Sequence, residues 1–224
     1  LDYQKGLDLV LKALPRLLEM GFRLYVQGVG DGGLQEAFLR AEEENPEGVR
    51  FLPAYDEAMA RLAYAGAEAV LVPSRFEPCG LVQMIASRYG TPPVARAVGG
   101  LKDTVEDGRA GVLFETYHPE GLLYGVLRLF RLGAEEMGLR AMEKDFPGRG
   151  RRGPTGRCTG RPWARMEGVK DLEAEALSGD PKAQALLHFL RLLRRKDYAG
   201  ARAYAEGFPE GERERLLRGL SLLE

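Results

Sequence analysis

The residue with the clearest chemical potential is Glu77, which lies in a polar loop at 73–80 between an apolar run and a helical pattern. A carboxylate in such a loop can accept hydrogen bonds from hydroxyl groups such as those of a sugar. A second tight loop contains Gly99 and Gly100. Helices that start after such loops offer free N–H groups, which suit a phosphate. The alternative is that Gly80 and these two glycines only permit tight turns.

Three other side chains have both a chemical and an ordinary interpretation. Lys5 precedes a helical pattern, where a cation opposes the helix dipole unless an anion binds there, although most exposed lysines are simply solvated. Tyr55 starts a predicted helix and either packs against the core or stacks on a flat ring. Cys79 has no nearby histidine to activate it, so we interpret it as a small loop residue and not as a nucleophile.

The elements that must position these residues alternate between strand and helix. Strands are predicted at 22–27, 49–53, 69–72, 93–95 and 112–114, and helices at 7–20, 34–44, 55–64, 81–89, 101–105, 119–132 and 135–142. This alternation predicts an α/β fold with a Rossmann-like parallel sheet and helices on both faces. Ligands of such folds bind beyond the carboxyl ends of the strands, where the loops of Glu77 and Gly99 would lie.

Composition excludes several classes of function. The net charge of −1 over 224 residues gives no general attraction to nucleic acid or to a membrane. We see no signal peptide and no apolar run of about 20 residues. The two cysteines lack the spacing of a zinc site, which fits a reducing cytoplasm, and no metal-ligand cluster is visible. We therefore expect a cytoplasmic protein that needs no metal and no cofactor. The first residue, Leu1, is not a methionine, and we do not expect it to be a natural start.

Four motifs occur in an order that identifies a family. They are Gln-Lys-Gly-Leu-Asp-Leu at 4–9, Gln-Gly-Val-Gly-Asp at 27–31, Phe-Glu-Pro-Cys-Gly-Leu at 76–81 and Gly-Gly-Leu-Lys-Asp-Thr-Val at 99–105. Together they resemble the C-terminal domain of bacterial glycogen synthases and plant starch synthases. Those glucosyltransferases use ADP-glucose and have two Rossmann-like domains that face each other across a cleft, the GT-B architecture. The resemblance covers about residues 1–146.

The resemblance implies roles for particular residues. Lys5 would contact the pyrophosphate and Glu77 would hold the glucose, so these two are the candidate catalytic residues. Tyr55 would stack on adenine. The full set of residues implied to bind the nucleotide sugar is Gly28, Gly30, Tyr55, Cys79, Gly80, Leu81, Val82, Gly99 and Gly100. The pair Gly28 and Gly30 is not a dinucleotide fingerprint, because a third glycine and a ribose-binding acid are not in place, and a simple turn is the alternative.

The sequence also departs from the family pattern. An arginine that the family has five positions before Lys5 would precede Leu1, together with the strand that carries it. Ile85 occupies the position of a second glutamate that is common in the wider GT-B superfamily, which is compatible with the glycogen-synthase branch. Val82 replaces a threonine of some bacterial members, and contacts through backbone N–H groups would survive that change.

The tail after residue 146 does not match the family. Residues 147–165 are rich in Gly, Arg and Pro and predict a linker. Residues 166–224 predict a small all-helical unit with helices at 169–177, 182–194, 198–206 and 210–223. One helix pair resembles a tetratricopeptide unit, and its apolar face would suit a protein partner. A natural fusion and a disrupted reading frame both fit this junction.

Two functional hypotheses follow. In the first, the chain is the ADP-glucose-binding half of a retaining glucosyltransferase that makes α-1,4-glucan. The glucan acceptor would bind a separate N-terminal domain, so we expect little transfer by the chain alone. In the second, a non-catalytic domain that binds a nucleotide sugar is fused to a helical interaction module. The choice of ADP over UDP comes from the resemblance alone.

Overall fold

The computed structural model describes residues 1–144, 197–208, 210, 213 and 217. These residues fall into two compact units. The first contains residues 1–56 and 68–144, and the second contains residues 57–67 and those described from 197 onward. The predicted linker at 147–165 and the helices predicted at 169–177 and 182–194 lie outside the described residues, and most of the helix predicted at 210–223 does as well.

The first unit has the predicted alternation of strands and helices. A short 3-10 turn, Tyr3–Lys5, precedes the first helix. The helices are α1 (Leu7–Glu19), α2 (Gly32–Glu44), α4 (Val82–Arg88), α5 (Gly100–Thr104), α6 (Pro119–Leu132) and α7 (Ala134–Glu143), and the second unit contains α3 (Glu57–Gly66). The strands are β1 (Leu24–Gln27), β2 (Val49–Leu52), β3 (Val70–Val72), β4 (Pro93–Arg96) and β5 (Val112–Phe114).

All strand pairs are parallel, as predicted, but they form two sheets instead of one. β1 pairs with β2, and β4 lies between β3 and β5. Within the described residues no hydrogen-bonded ladder joins the two sheets. Apolar alternation marks a strand, but it does not reveal which strands share hydrogen bonds, which is why the pattern did not separate the two sheets.

Alternating residues of the three-stranded sheet pack on opposite faces. On one face Val94 and Val112 contact α1 and α6 in a single apolar core. On the other face Ala95 packs in a second core with residues of α5 and the segment that follows it, Leu101 and Val105. Successive side chains of a strand point to opposite sides, so a sheet covered on both faces needs apolar residues at every position. The prediction of helices on both faces is confirmed for this sheet.

Most element boundaries differ from the predictions by one or two residues. One shift matters for the site: α3 begins at Glu57, so Tyr55 lies in the loop after β2 and does not start the helix. The predicted helix start was wrong because the apolar spacing extends past the residues that adopt helical geometry.

The second unit contributes two described helices. In α3 the buried side chains are Met59, Leu62 and Ala65. The tail helix, Tyr198–Ala205, begins where Asp197 accepts a 2.8 Å hydrogen bond from the N–H of Gly200, which is a typical N-cap. The sequence had predicted this helix at 198–206. None of the helices in the described residues is both long enough and apolar enough to cross a membrane.

Candidate nucleotide-sugar site

The two candidate catalytic residues form an ion pair. Lys5 Nζ lies 2.6 Å from Glu77 Oε2, and the Glu77 side chain is 9% exposed while the Lys5 side chain is half exposed. The buried hydroxyl of Ser74 donates to the same carboxylate oxygen at 3.3 Å. Among the described residues nothing donates to Glu77 Oε1. One carboxylate oxygen therefore keeps its capacity to accept hydrogen bonds.

The 3-10 turn that carries Lys5 is attached to the loop that carries Glu77 by two hydrogen bonds of Gln4 and by close packing at Gly6. Gln4 accepts a 2.8 Å bond from the N–H of Arg75, and its side-chain amide donates to the carbonyl of Phe76 at 3.1 Å. Gly6, at φ +74°, lies so close to the carbonyl of Pro73 that a Cβ would overlap it. Glycine lets the two segments approach, and this approach brings the ammonium to the carboxylate.

The two glycine loops, which follow the neighbouring strands β3 and β4, are in direct contact. The N–H of Gly100 donates to the carbonyl of Glu77 at 2.9 Å. Gly99 has φ +46°, and a Cβ there would overlap the same carbonyl. A Cβ at Gly100 would lie 2.8 Å from Cys79 Cα. Both glycines are therefore required by close backbone packing and not only by a turn.

A buried amide joins the same two loops. The side chain of Gln83 is 1% exposed, and its Nε2 donates to the carbonyls of Cys79 at 3.1 Å and Gly80 at 2.9 Å. The same nitrogen also donates to the hydroxyl of Thr104 at 2.9 Å, and that hydroxyl donates to the carbonyl of Gly100 at 2.6 Å. The polar atoms of Gln83 and Thr104 thus connect the loop after β3 to helix α5.

Arg96, at the end of β4, holds the base of the loop that carries Glu77. Its guanidinium donates to the carbonyls of Ser74 at 3.3 Å and Arg75 at 3.0 Å, and to that of Glu115 at 3.2 Å. Hydrogen bonds from an ionised donor are among the stronger hydrogen bonds in proteins. The carboxyl-end loops of β3 and β5 are therefore tied to the end of β4.

The ring of Tyr117 lies under two guanidinium groups, with Arg75 4.4 Å and Arg96 5.2 Å from its centre. Its hydroxyl donates to Asp8 at 2.7 Å, and Arg75 donates to the other oxygen of Asp8 at 2.8 Å. Burial and the hydrogen bond to Asp8 raise the pKa of Tyr117 to about 12. Burial opposes ionisation of Asp8, but the bonds from Tyr117 and Arg75 outweigh it and hold the Asp8 pKa below its usual value.

Gly28 and Gly30 contact the start of the chain. Both have positive φ angles, 144° and 152°, and a Cβ at Gly30 would overlap the backbone of Leu1. The amino group of Leu1 donates to Val29, and the carbonyl of Leu1 accepts from Asp31 at 2.9 Å. In the described residues these glycines thus contact the segment that leads to the Lys5 turn.

Tyr55 is 66% exposed and makes no hydrogen bond or ring contact within the described residues. It follows β2, whose carboxyl end lies beside that of β1, because the carbonyl of Leu52 accepts from Gly28 at 3.0 Å. The next residue, Asp56, accepts a 2.5 Å bond from Gln27. Tyr55 thus lies beyond the carboxyl end of β2, and in the described structure its ring makes no contact with Lys5 or Glu77.

The remaining candidates belong to the loop after Glu77. Cys79 is disulfide-bonded and Cys158 lies outside the described residues, so the expectation of reduced cysteines is not met at Cys79. A disulfide sulfur is no nucleophile, which agrees with the interpretation of Cys79 as a loop residue. In the described part of the chain the N–H groups of Gly80, Leu81 and Val82 have no acceptor. No group of three potential metal ligands occurs among the described residues.

Sequence reasoning missed the residues that hold the site together: Gln4, Gln83, Arg96, Thr104 and Tyr117. Each of them uses a polar side chain to reach a main-chain carbonyl or a residue far away along the chain. Such contacts have no periodicity. The one available signal was a glutamine, Gln83, on the inward-facing side of an apolar helix, where a buried amide must find partners.

Comparison with known proteins places this geometry in a family context. Residues 1–131 match the family model described as "Glycosyl transferases group 1". Over 146 residues, 65% of the chain, it is 99% identical to a glycogen synthase of Thermus thermophilus, and over a similar share it is 44% identical to one of Leptothrix cholodnii. The match covers 33% of each of these relatives, so the chain spans about a third of their length. A solved structure of the catalytic domain of starch synthase IV from Arabidopsis thaliana, bound to ADP and acarbose, matches 80% of the chain and 37% of its own length. The TM-score is 0.61 and the identity 30%.

Proposed function

This chain belongs to the group 1 glycosyl transferases, and from that premise we propose that it is the nucleotide-sugar-binding half of a retaining glucosyltransferase that extends α-1,4-glucan from ADP-glucose. The glycogen synthase relatives support glucan as the product, and the starch synthase structure with bound ADP supports adenine as the base. The Rossmann-like α/β fold matches the GT-B architecture of that starch synthase.

The observation that carries the proposal is the Lys5–Glu77 pair beside the two contacting glycine loops. A cation on a flexible stem suits a phosphate as a point charge. A carboxylate repels phosphate but accepts hydrogen bonds from sugar hydroxyls, and Glu77 Oε1 has that capacity within the described structure. One nucleotide sugar contains both groups, so the pair would bind its two parts.

The chemistry that this arrangement would support is departure of a nucleoside diphosphate from the sugar. Negative charge develops on the leaving phosphate. Lys5 would stabilise it electrostatically, together with the N–H groups of Gly80, Leu81 and Val82, which have no acceptor within the described residues. Glu77 would orient the glucose while the bond breaks. Because Lys5 is already paired with Glu77, the phosphate would share or replace that ion pair when it binds.

The remaining nucleotide-binding candidates would act through backbone and ring contacts. Gly99 and Gly100 would let the substrate approach the loop backbone, and Tyr55 would stack on the base. Gly28 and Gly30 would position the Lys5 turn through Leu1. We propose no metal at this site.

The acceptor glucan would bind another part of the whole protein, because the chain spans only about a third of its glycogen synthase relatives. We therefore expect the 224-residue chain to bind ADP-glucose but to transfer little glucose by itself. The second candidate, a non-catalytic binding domain attached to a helical interaction module, is favoured by the tail, which lies outside residues 1–131 that match the family model. A module of this kind would bind the nucleotide sugar without any transfer, even when the rest of a relative is supplied.

The test is calorimetric titration of the whole chain with ADP, UDP, ADP-glucose and UDP-glucose. We expect the two adenine ligands to bind more tightly than the two uracil ligands. A transfer assay with maltooligosaccharide should then be run on the chain and on the full-length Thermus thermophilus relative. Equal binding of ADP and UDP would contradict the assigned base, and the absence of binding by all four ligands would contradict the proposal as a whole.

A further inference from the structure

The amide of Gln83 lies beneath the loop to which a diphosphate would bind under the proposed function. Its Nε2 has only two hydrogens but three acceptors within 3.1 Å, namely the carbonyls of Cys79 and Gly80 and the hydroxyl of Thr104. At least one of the two hydrogens is therefore shared between two acceptors. The side chain is almost fully buried, so water does not compete for it.

These acceptors also fix the orientation of the amide. If the oxygen and nitrogen of Gln83 exchanged places, the side-chain oxygen would face two carbonyl oxygens and find no donor there. In the observed orientation Oε1 is buried and has no partner in the described part of the chain. An unpaired buried carbonyl destabilises the fold, so the hydrogen bonds that Nε2 donates must compensate for the unpaired Oε1.

The hydrogen bonds from Nε2 also set the direction of the loop N–H groups, because of the geometry of the peptide bond. In a trans peptide the C=O of one residue and the N–H of the next point in opposite directions. Since the carbonyls of Cys79 and Gly80 both point towards Gln83, the N–H groups of Gly80 and Leu81 both point away from it. Those two N–H groups are among the ones that lack an acceptor in the described structure.

We propose that Gln83 is a positioning residue that turns the N–H groups of Gly80 and Leu81 towards the diphosphate of a nucleotide sugar. Thr104 supports it, because its hydroxyl accepts from Gln83 and donates to Gly100. The role rests on the proposed function, but it is assigned by the hydrogen bonds of this chain. Glycine is needed at position 80, which has φ +69°, because a Cβ there would overlap the Gln83 amide.

The test compares the affinities of the whole chain for ADP and for adenosine. Gln83→Met fills a similar volume but has no N–H to donate, so the loop carbonyls are released. We expect ADP to bind about tenfold more weakly, as for the loss of hydrogen bonds to a charged group. Adenosine lacks the diphosphate and should bind within about twofold of wild type. A variant that is merely less stable would lose both affinities together.

The matched pair at Thr104 gives an independent measurement if Gln83→Met does not fold. Thr104→Val removes the hydroxyl and should lower the ratio of ADP to adenosine affinity, while Thr104→Ser keeps the hydroxyl and should restore it. In wild-type protein, inorganic pyrophosphate should shift the amide NMR signals of Gly80 and Leu81. If ADP binds but folded Gln83→Met and Thr104→Val keep the wild-type ratio, the positioning role is wrong. If neither ADP nor pyrophosphate binds, both the proposed function and the positioning role are wrong.

Discussion

Two loops at the carboxyl ends of strands carry candidate residues, and they are held very differently. The loop after β3, which contains Glu77, receives hydrogen bonds from Gln4, Arg96 and Gln83 and packs against Gly99. The loop after β2 contains Tyr55, whose ring is 66% exposed, and the backbone carbonyl of the next residue, Asp56, accepts a hydrogen bond from Gln27.

This difference separates two ways of contributing to binding. A loop whose carbonyls accept many hydrogen bonds loses little freedom when a ligand arrives, so its contacts are preorganised. An exposed tyrosine must be ordered by the ligand itself and contributes through its flat face. We expect changes in the first loop to affect stability and phosphate binding, and changes in the second to affect recognition of the base.

The largest expected effect is that of Gly99→Ala. The new Cβ would overlap the carbonyl of Glu77 at a residue with φ +46°, so the loops must separate or the backbone must distort. We expect the free energy of unfolding to fall by about 3 kcal/mol or more. Gly21→Ala is the matched control, because Gly21 also has positive φ, +82°, but within the described residues no atom beyond its chain neighbours lies within 4 Å of its Cβ position. That control should lose only about 1 kcal/mol, measured by urea unfolding. Equal losses in both variants would show that the loop contact is not what makes Gly99 necessary.

The next effect concerns the ion pair at the centre of the first loop. Lys5→Ala should weaken ADP and ADP-glucose alike, by about tenfold to a hundredfold, because a charge-assisted contact with phosphate is lost. Glu77→Gln should leave ADP binding intact or slightly tighter, since it frees Lys5, and should weaken only ADP-glucose. Lys12→Ala removes an exposed lysine of α1 and controls for the change in net charge. Calorimetry with both ligands measures all three, and equal weakening of ADP and ADP-glucose by Glu77→Gln would contradict the assignment of glucose to Glu77.

A smaller effect is expected at the base of the first loop as pH changes. The pKa of Tyr117 is raised to about 12 by burial and by its bond to Asp8, so the protonated phenol favours the folded state. The resulting stabilisation is complete below the unfolded value near pH 10 and is lost between about pH 10 and 12. Asp8, whose pKa is lowered, contributes above about pH 4 and loses its contribution as pH falls further.

Thermal melting at stepped pH would measure this contribution. Tyr117→Phe should have a lower melting temperature at pH 8, and a shallower decline between pH 10 and 12. Some decline should remain, because burial and the charge of Asp56 raise the pKa of Tyr25 to about 12 as well. Tyr124→Phe, at an exposed tyrosine, is the control and should follow wild type. A decline in Tyr117→Phe as steep as in wild type would show that the Asp8 contact contributes nothing at high pH.

The sequence was informative wherever local chemistry decides the structure. Helix α6 was predicted with its observed bounds from its apolar spacing, and in the structure Pro119 occupies its first position while Gly133 adopts the left-handed conformation that ends it. The pairing of Lys5 with Glu77 could not be predicted from spacing, since 72 positions separate them and the contact depends on Gln4, whose carbonyl accepts from Arg75 and whose side-chain amide donates to Phe76. The division of the strands into two sheets could not be predicted either, because the apolar pattern of a strand does not determine which strand it is hydrogen-bonded to.

The smallest effect on stability is expected in the second loop, and it tests the comparison most directly. Tyr55→Ala removes a ring that makes no hydrogen bond or ring contact within the described residues, so the free energy of unfolding should change by about 0.5 kcal/mol or less. Its effect on binding should be larger, because stacking on a base is typically worth about 1–3 kcal/mol. Tyr55→Phe keeps the flat face and should bind ADP like wild type. Inorganic pyrophosphate has no base, so its binding should be the same in all three proteins. If Tyr55→Ala unfolds more easily while its ADP affinity is unchanged, Tyr55 is a packing residue, and the division of labour between the two loops is wrong.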